Sequence, residues 1–287
     1  MRFLEDKLWD ENLIIINKIN FYQEFEDWYW KINKDFNFDF KLDQKARDIL
    51  LSIFNDKDPE WNLESVLKSF CKRIKSKKSI FIYGCGPTLV KTVNYIINAK
   101  IKERFINSIH LAADGATIFL KEIEVPVDAT FTDLDGIRTE DFNYPNYIIV
   151  HAHGDNIDKL LNYKNEIIKA KKIIGTTQVK PHEKILNPGG FTDGDRILFF
   201  IRSLIRSDQN IYLIGMDFKD VIGKYSKPDY EENVRGTPTK IKKLEYAYKL
   251  TSWFAEMIEN KVFLLNSNLK IKNIESVSLE EITDLNF

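Results

Sequence analysis

Apolar positions change their period once along the chain. Up to about residue 75 they recur at helical spacing, as in Ala46, Ile49, Leu50 and Ile53. Asp43 precedes that run as a candidate N-cap, and residues 63–74 read as a further amphipathic helix. This stretch contains no glycine and holds Trp9, Trp28, Trp30 and Trp61. It is read as a small helical N-terminal domain, residues 1–75, with the tryptophans as core anchors rather than ligand platforms. Beyond it, short apolar runs at 79–83, 109–112, 147–151, 172–175, 211–215 and 262–265 alternate with amphipathic stretches such as 89–97 and 157–170. Residues 239–260 form a long helical pattern, with Ile241, Leu244, Ala247, Leu250, Phe254 and Met257 on one face. Strands alternating with helices predict an α/β domain over residues 76–287, a largely parallel sheet flanked by helices.

In such sheets ligands bind beyond the carboxyl ends of the strands, and the polar motifs of this chain fall there. Gly84-Cys85-Gly86-Pro87-Thr88 is a strand-to-helix turn whose glycines would let a phosphate approach the backbone, with Pro87 suited to a first helical position. It lacks the third glycine of a dinucleotide fingerprint and the lysine of a Walker loop, and a tight turn without ligand explains it equally well. Asp114 follows the second strand, where an isolated aspartate is most often a helix cap. Thr132-Asp133-Leu134-Asp135-Gly136 is the sharpest signal. On an extended segment Asp133 and Asp135 would share one side, and paired like charges suit a hard cation such as Mg²⁺ better than an exposed turn. His151-Ala152-His153-Gly154-Asp155-Asn156 has no cysteine partners for zinc, yet it holds two of the four histidines and adds Asp155 and Asn156 as ligand contacts. Gly175-Thr176-Thr177-Gln178 and Gly215-Met216-Asp217 close later strands. The loop from Asn187 to Arg196 includes Gly189, Gly190, Thr192, Asp193 and Asp195 before an apolar helix over 197–204. Its backbone amides and the Arg196 fork suit phosphate, although one aspartate could simply cap the helix.

Composition narrows the partners. With 44% apolar and 30% charged residues the chain is an ordinary globular one. Forty-two Lys+Arg against 43 Asp+Glu leave no basic excess, so nothing calls for nucleic acid. The basic runs at 72–78 and 240–243 read as solvated helix ends and faces. Cys71 and Cys85 make neither a disulfide framework nor a zinc site, which suits a reduced, cytoplasmic protein. Residues 1–20 lack the apolar core of a signal peptide, and no apolar run approaches the ~20 residues of a membrane helix. Oligomeric state is left open, a homo-oligomer included.

Taken together, the series Gly84-x-Gly-Pro, Ala113-Asp-Gly-Ala, Thr132-Asp-Leu-Asp-Gly, His151-Ala-His-Gly-Asp-Asn, Gly189-Gly-Phe-Thr-Asp-Gly-Asp-Arg and Gly215-Met-Asp-Phe resembles the archaeal 6-hydroxymethyl-7,8-dihydropterin pyrophosphokinase family from about residue 78 to 220. The helical N-terminal region also fits. Two of these elements are similar to those of thiamine pyrophosphokinases, in which the second usually reads Gly-Asp-x-Asp-Ser; Thr-Asp-Leu-Asp-Gly favours the pterin family. Flagellin-modifying glycosyltransferases share the broader domain, but the chain is too compact for most of them.

The resemblance implies Mg²⁺-dependent transfer of diphosphate from ATP to a hydroxymethylpterin, with release of AMP, in the making of tetrahydropterin cofactors. On that reading Asp133 and Asp135 hold Mg²⁺, and Asp155 completes its shell or orients the hydroxyl. Arg196 and the 189–195 backbone stabilise charge on the phosphates, with Gly84, Gly86, Pro87 and Thr88 on the nucleotide. Asp114, His151, His153, Asn156 and Gln178 face the pterin. Thiamine pyrophosphokinase activity, a metal-dependent nucleotide-sugar glycosyltransferase and a non-catalytic nucleotide-binding module are the alternatives.

Overall fold

The computed structural model describes residues 15–287; Trp9 and the first fourteen residues lie outside the described part. Three helices come first, α1 (Tyr22–Phe36), α2 (Phe40–Asn55) and α3 (Leu63–Ile74). The alternating part follows as β1 (Ser79–Tyr83), α4 (Leu89–Ile97), α5 (Lys102–Ile106), β2 (Ile109–Ala113), α6 (Ala116–Glu122), β3 (Ala129–Thr132) and β4 (Tyr147–Ala152). It continues through α7 (Ile157–Asn162), α8 (Lys164–Lys169), β5 (Ile173–Thr177), β6 (Ile185–Leu186), α9 (Asp193–Ile201) and β7 (Asn210–Ile214). A short antiparallel ribbon, β8 (Val221–Ile222) and β9 (Val234–Arg235), precedes α10 (Pro238–Met257), β10 (Val262–Leu265) and β11 (Glu275–Val277).

Nine strands form one parallel sheet in the order β11-β10-β7-β1-β2-β3-β4-β5-β6. Both faces are covered, which is why the strands are continuous apolar runs rather than alternating ones. In β1 the period of two divides the side chains cleanly. Ile80 and Ile82 enter a core shared with α1, α3, α9 and α10, while Phe81 and Tyr83 enter the core beneath α4, α5 and α6. Helix α2 closes a third cluster over β4 and β5 with Leu50, Ile53 and Phe54. Helices α1 and α3 therefore share a core with the sheet. Trp28 and Trp61 pack into these clusters, but Trp30 is 68% exposed and anchors nothing.

Several boundaries differ from the pattern-based expectation for physical reasons. Helix α2 starts earlier than Asp43 suggests, because Asp39 is the N-cap and accepts from Lys41 N at 2.8 Å. Residues 157–170 break into two helices at Tyr163, whose hydroxyl donates to Ile137 O. Helix α9 begins four residues before its apolar run, on a Thr192–Asp195 capping box. The chain leaves β1 toward β2 on one side and β7 toward β10 on the other, so strand order reverses between these two neighbours. That crevice is where open α/β sheets receive ligands.

Candidate active site

Each acidic loop is shaped locally before it meets the others. Asp114 ends β2 in a left-handed conformation (φ 47°) that donates its N–H to Phe131 O and turns its carboxylate to Thr132 Oγ1 at 2.6 Å. Thr132 Oγ1 in turn accepts from Leu134 N. Leu134 is also left-handed (φ 70°) and buries its side chain in the α2 cluster. The segment is thus bent rather than extended. Asp133 joins Asp114 in one cluster, whereas Asp135 forms an ion pair with Lys227. The two aspartates nonetheless stay neighbours across this bend, with Asp135 N donating to Asp133 Oδ1 at 3.3 Å and Asp135 helping to hold the Asp133 carboxyl low. Gly136 is required here, since an added Cβ would collide with the Asp114 carboxylate.

The loop before α9 is held from the N-terminal helices. Asn187 Oδ1 accepts from Tyr29 Oη and Gly189 N. Gly189 and Gly190 have φ of 93° and 86°, and a Cβ at Gly190 would strike Arg196. Asp195 is buried and consumed by the cap, accepting from Phe191 N, Thr192 N and Thr192 Oγ1. Asp193 is left to project from the first turn of α9, paired with Arg196 Nη1 at 2.9 Å. Arg196 Nη2 donates to Phe191 O, and its buried Nε has no partner.

These turns bring oxygens of Asp114, Asp133 and Asp193 to within 4.8 Å of one another. Burial, then the neighbouring Asp133 charge, pushes the Asp114 carboxyl well above the usual range. The same two causes raise Asp193 to about 7. Burial alone would raise Asp133 as well, but the His153 hydrogen bond and Arg196 overcome it and hold this carboxyl low. His153 Nε2 lies 3.3 Å from Asp133 Oδ2, and its Nδ1 accepts from Asp155 N, which places a neutral ring's proton on the Asp133 side. Three clustered carboxylates that resist simultaneous ionisation, all hard oxygen donors, fit a divalent cation such as Mg²⁺.

The remaining strand-end residues divide into support and lining. Asn156 is buried and donates to Asp133 O and His151 O while accepting from His153 N, so it braces the loop. His151 is buried against Thr176, and burial keeps it neutral. Asp155 is exposed and outside the carboxylate cluster. Thr88 donates from N and Oγ1 to Asp217, and Gly86 N donates to Gly215 O, which ties the loops after β1 and β7 together.

A cavity of about 420 Å³ opens over this crevice. Asp114, Asp133, Asp135, His153, Asp155, Gln178, Thr192, Asp193, Arg196, Gly84 and Gly86 line it. Pro87, Thr88, His151, Asn156, Gly189, Gly190 and Asp195 do not, and Pro87 is not a first helical residue, because α4 starts at Leu89 with Thr88 as its N-cap. Other lining residues escape the sequence pattern. Asp43 is buried on α2 and accepts from Gly154 N at 2.7 Å and Gln178 Nε2 at 2.8 Å. Lys227 comes from the segment between β8 and β9. Lys240 and Lys243, read as solvated, line the cavity half-buried; apolar neighbours at 241, 244 and 247 on the same helix were the available signal.

Comparison with known proteins bears on this geometry. The family model for 6-hydroxymethylpterin diphosphokinase MptE-like proteins matches residues 60–223. Proteins named 6-hydroxymethyl-7,8-dihydropterin pyrophosphokinase are similar over most of their length. That of Pyrococcus furiosus is 32% identical over 81% of this chain and 93% of its own. That of Methanocaldococcus jannaschii is 35% identical over 83% and 97%, and that of Methanothermobacter thermautotrophicus 34% over 79% and 91%. A solved MAf glycosyltransferase from Magnetospirillum magneticum superposes with a TM-score of 0.46 at 11% identity, over 74% of this chain and 37% of that one, and adds nothing to the assignment. The residues that shape the carboxylate cluster lie inside the matched segment, and the chain belongs to the 6-hydroxymethylpterin diphosphokinase MptE-like family.

Proposed function

We propose that this protein is a diphosphotransferase that moves the β,γ-diphosphate of ATP to the hydroxymethyl oxygen of 6-hydroxymethyl-7,8-dihydropterin and releases AMP. The observation that carries the reading is the Asp114–Asp133–Asp193 cluster at the strand ends of a chain in this family. The names of the three relatives supply the acceptor. Asp114, Asp133 and Asp193 would hold Mg²⁺, with Asp114 and Asp193 in the places expected of Asp135 and Asp155. The ion would supply charge neutralisation on the phosphate oxygens. The acceptor oxygen attacks the β-phosphorus, its proton leaves, and the bond to the α–β bridging oxygen breaks with that oxygen departing on AMP.

The chain's own part is positioning and electrostatics. His153 fixes the Asp133 carboxylate, Asn156 fixes both through their backbones, and Arg196 holds Asp193 while presenting its charge to the cavity. Phe38, Leu42 and Phe191 give one stretch of wall an apolar face for a flat ring, with Gln178 and Asp43 beside it as polar contacts. Incubation with ATP, Mg²⁺ and the hydroxymethylpterin tests the reading. AMP and the pterin diphosphate are the expected products; ADP, or turnover with thiamine in place of the pterin, would overturn it.

A further inference from the structure

One stretch of cavity wall carries cations that form no ion pair among the described residues. Lys240 and Lys243 stand one turn apart on α10, both line the cavity, and neither ammonium forms an ion pair among the described residues. Lys243 Nζ has only the rings of Phe38, at 5.5 Å, and Phe191, at 5.8 Å, beneath it. Burial, and then Lys240, pushes the Lys243 pKa down. Lys240 lies in the first turn of a 20-residue helix that has no acidic residue there. Its charge therefore adds to the positive end of the helix dipole instead of compensating it.

A third cation, Arg196, is 5% exposed and lines the same cavity with its Nε unpartnered. Half-buried like charges at a positive helix end oppose folding unless an anion neutralises them. The cavity carboxylates reach these lysines only from a distance, Asp133 and Asp155 acting on Lys243 and Asp193 on Lys240, and none pairs with either ammonium among the described residues; Asp193 pairs with Arg196 and Asp135 with Lys227.

We infer that Lys240 and Lys243 are the seat of a polyphosphate, the triphosphate of the nucleotide donor, held between α10 and the Asp114–Asp133–Asp193 cluster. This rests on the reading that a nucleotide is the donor, and it assigns donor binding to a helix outside the matched residues 60–223. A lysine pair suits the assignment, because ammonium groups bind phosphate as point charges and their flexible stems can follow a chain of phosphates.

The test is calorimetric titration of the full chain with inorganic tripolyphosphate, without added metal, for the parent, Lys240→Met, Lys243→Met, the double variant and Lys243→Arg. Each single Met variant should weaken binding about tenfold and the double variant about a hundredfold, while Lys243→Arg stays within about threefold. Affinity of the parent should fall steeply with salt, and that of the double variant should not. Binding of 6-hydroxymethyl-7,8-dihydropterin should be unchanged in Lys240→Met, because Lys243, not Lys240, lies over the Phe38 and Phe191 rings. Tripolyphosphate binding by the double variant within twofold of the parent would overturn the inference, as would a loss of pterin binding by Lys240→Met equal to its loss of tripolyphosphate binding. Should Lys240→Met fail to fold, Lys240→Gln carries the same comparison. The two readings fail separately. Lysine-dependent tripolyphosphate binding without AMP production sinks the proposed function alone. AMP production by the double variant with an unchanged KM for ATP sinks the lysine seat alone.

Discussion

Replacing Asp193 by asparagine should stabilise the metal-free protein at neutral and alkaline pH. Burial and the Asp133 charge raise the Asp193 carboxyl from its ordinary 3.8 to about 7. Between those values the folded chain keeps a proton that the unfolded chain has released, so this group's contribution to stability falls as pH rises. A shift of about three units at roughly 1.4 kcal/mol each bounds the loss at ~4 kcal/mol. An amide has no such slope, and like the protonated acid it leaves an oxygen for Arg196 Nη1. Asp193→Asn should therefore match the parent near pH 3, below the ordinary carboxyl value, and exceed it by about 2–4 kcal/mol at pH 8. The difference between the two proteins is the quantity to measure. Other buried groups tilt the absolute curve both ways: His110, lowered to about 4 by burial, contributes stability that grows with pH up to its ordinary 6.5. Urea unfolding followed by tryptophan fluorescence in EDTA reports it, with Trp28 and Trp253 packed together in the core as the probe. Adding Mg²⁺ at pH 8 should stabilise the parent, since a ligand that binds only the folded state shifts the equilibrium, and should stabilise the variant less. A difference that stays flat from pH 4.5 to 8.5, or a variant weaker than the parent at pH 8, would refute the reasoning.

Three further outcomes are expected. Asp133→Asn should lower AMP formation roughly a thousandfold without loss of tripolyphosphate binding; turnover near the parent's would remove Asp133 from the site. Gly136→Ala should shift Mg²⁺ titrations to higher concentration, because its methyl group collides with the Asp114 carboxylate, and an unchanged titration would show that the loop yields freely. Lys57→Met should cost about 2–3 kcal/mol in urea unfolding, since the buried Lys57 ammonium donates to Ile167 O, Ile168 O and Ala170 O at 2.8, 2.9 and 2.7 Å at the end of α8; a loss below 0.5 kcal/mol would deny it that capping role.

The strand-end motifs were legible because each depends on neighbours in sequence. A continuous apolar run followed by Gly, Asp or His marks the carboxyl end of a buried parallel strand, and the loops after β1, β2, β3, β4 and α9's approach were all found that way. Whether a polar residue faces the cavity or braces it was not legible. Asn156 and Asp195 carry the same chemistry as Gln178 and Asp193, yet hydrogen bonds within their own loops consume them. How Asp133 and Asp135 divide their contacts was not legible for a similar reason: the left-handed Leu134 bends the segment, so Asp135 reaches Lys227 while remaining a hydrogen-bonding neighbour of Asp133. Asp43 was hidden differently. Its partners, Gly154 and Gln178, are 111 and 135 residues away, so its role depends on α2 crossing the ends of β4 and β5.

That crossing bears on how the site is assembled. The carboxylate cluster comes from β2, β3 and the start of α9, all within the segment matched by the family model. The apolar wall with Asp43 comes from the N-terminal helices, and the unpaired lysines come from α10. The charges are segregated by element, and the few that meet are already paired, as Arg196 with Asp193 and Lys227 with Asp135. Unlike charges left free on opposite walls would collapse onto each other if a flexible loop carried them. Here both sets ride on packed elements, since Leu250 and Phe254 of α10 and Leu198 and Phe199 of α9 are fully buried in one core. The cavity thus keeps acidic and basic walls apart, with the Asp114 and Asp193 carboxyls pushed up on one and the lysines without ion pairs among the described residues on the other. On the proposed function, a metal polyphosphate, cationic at one face and anionic at the other, would satisfy both walls together, which neither a bare cation nor a bare phosphate would.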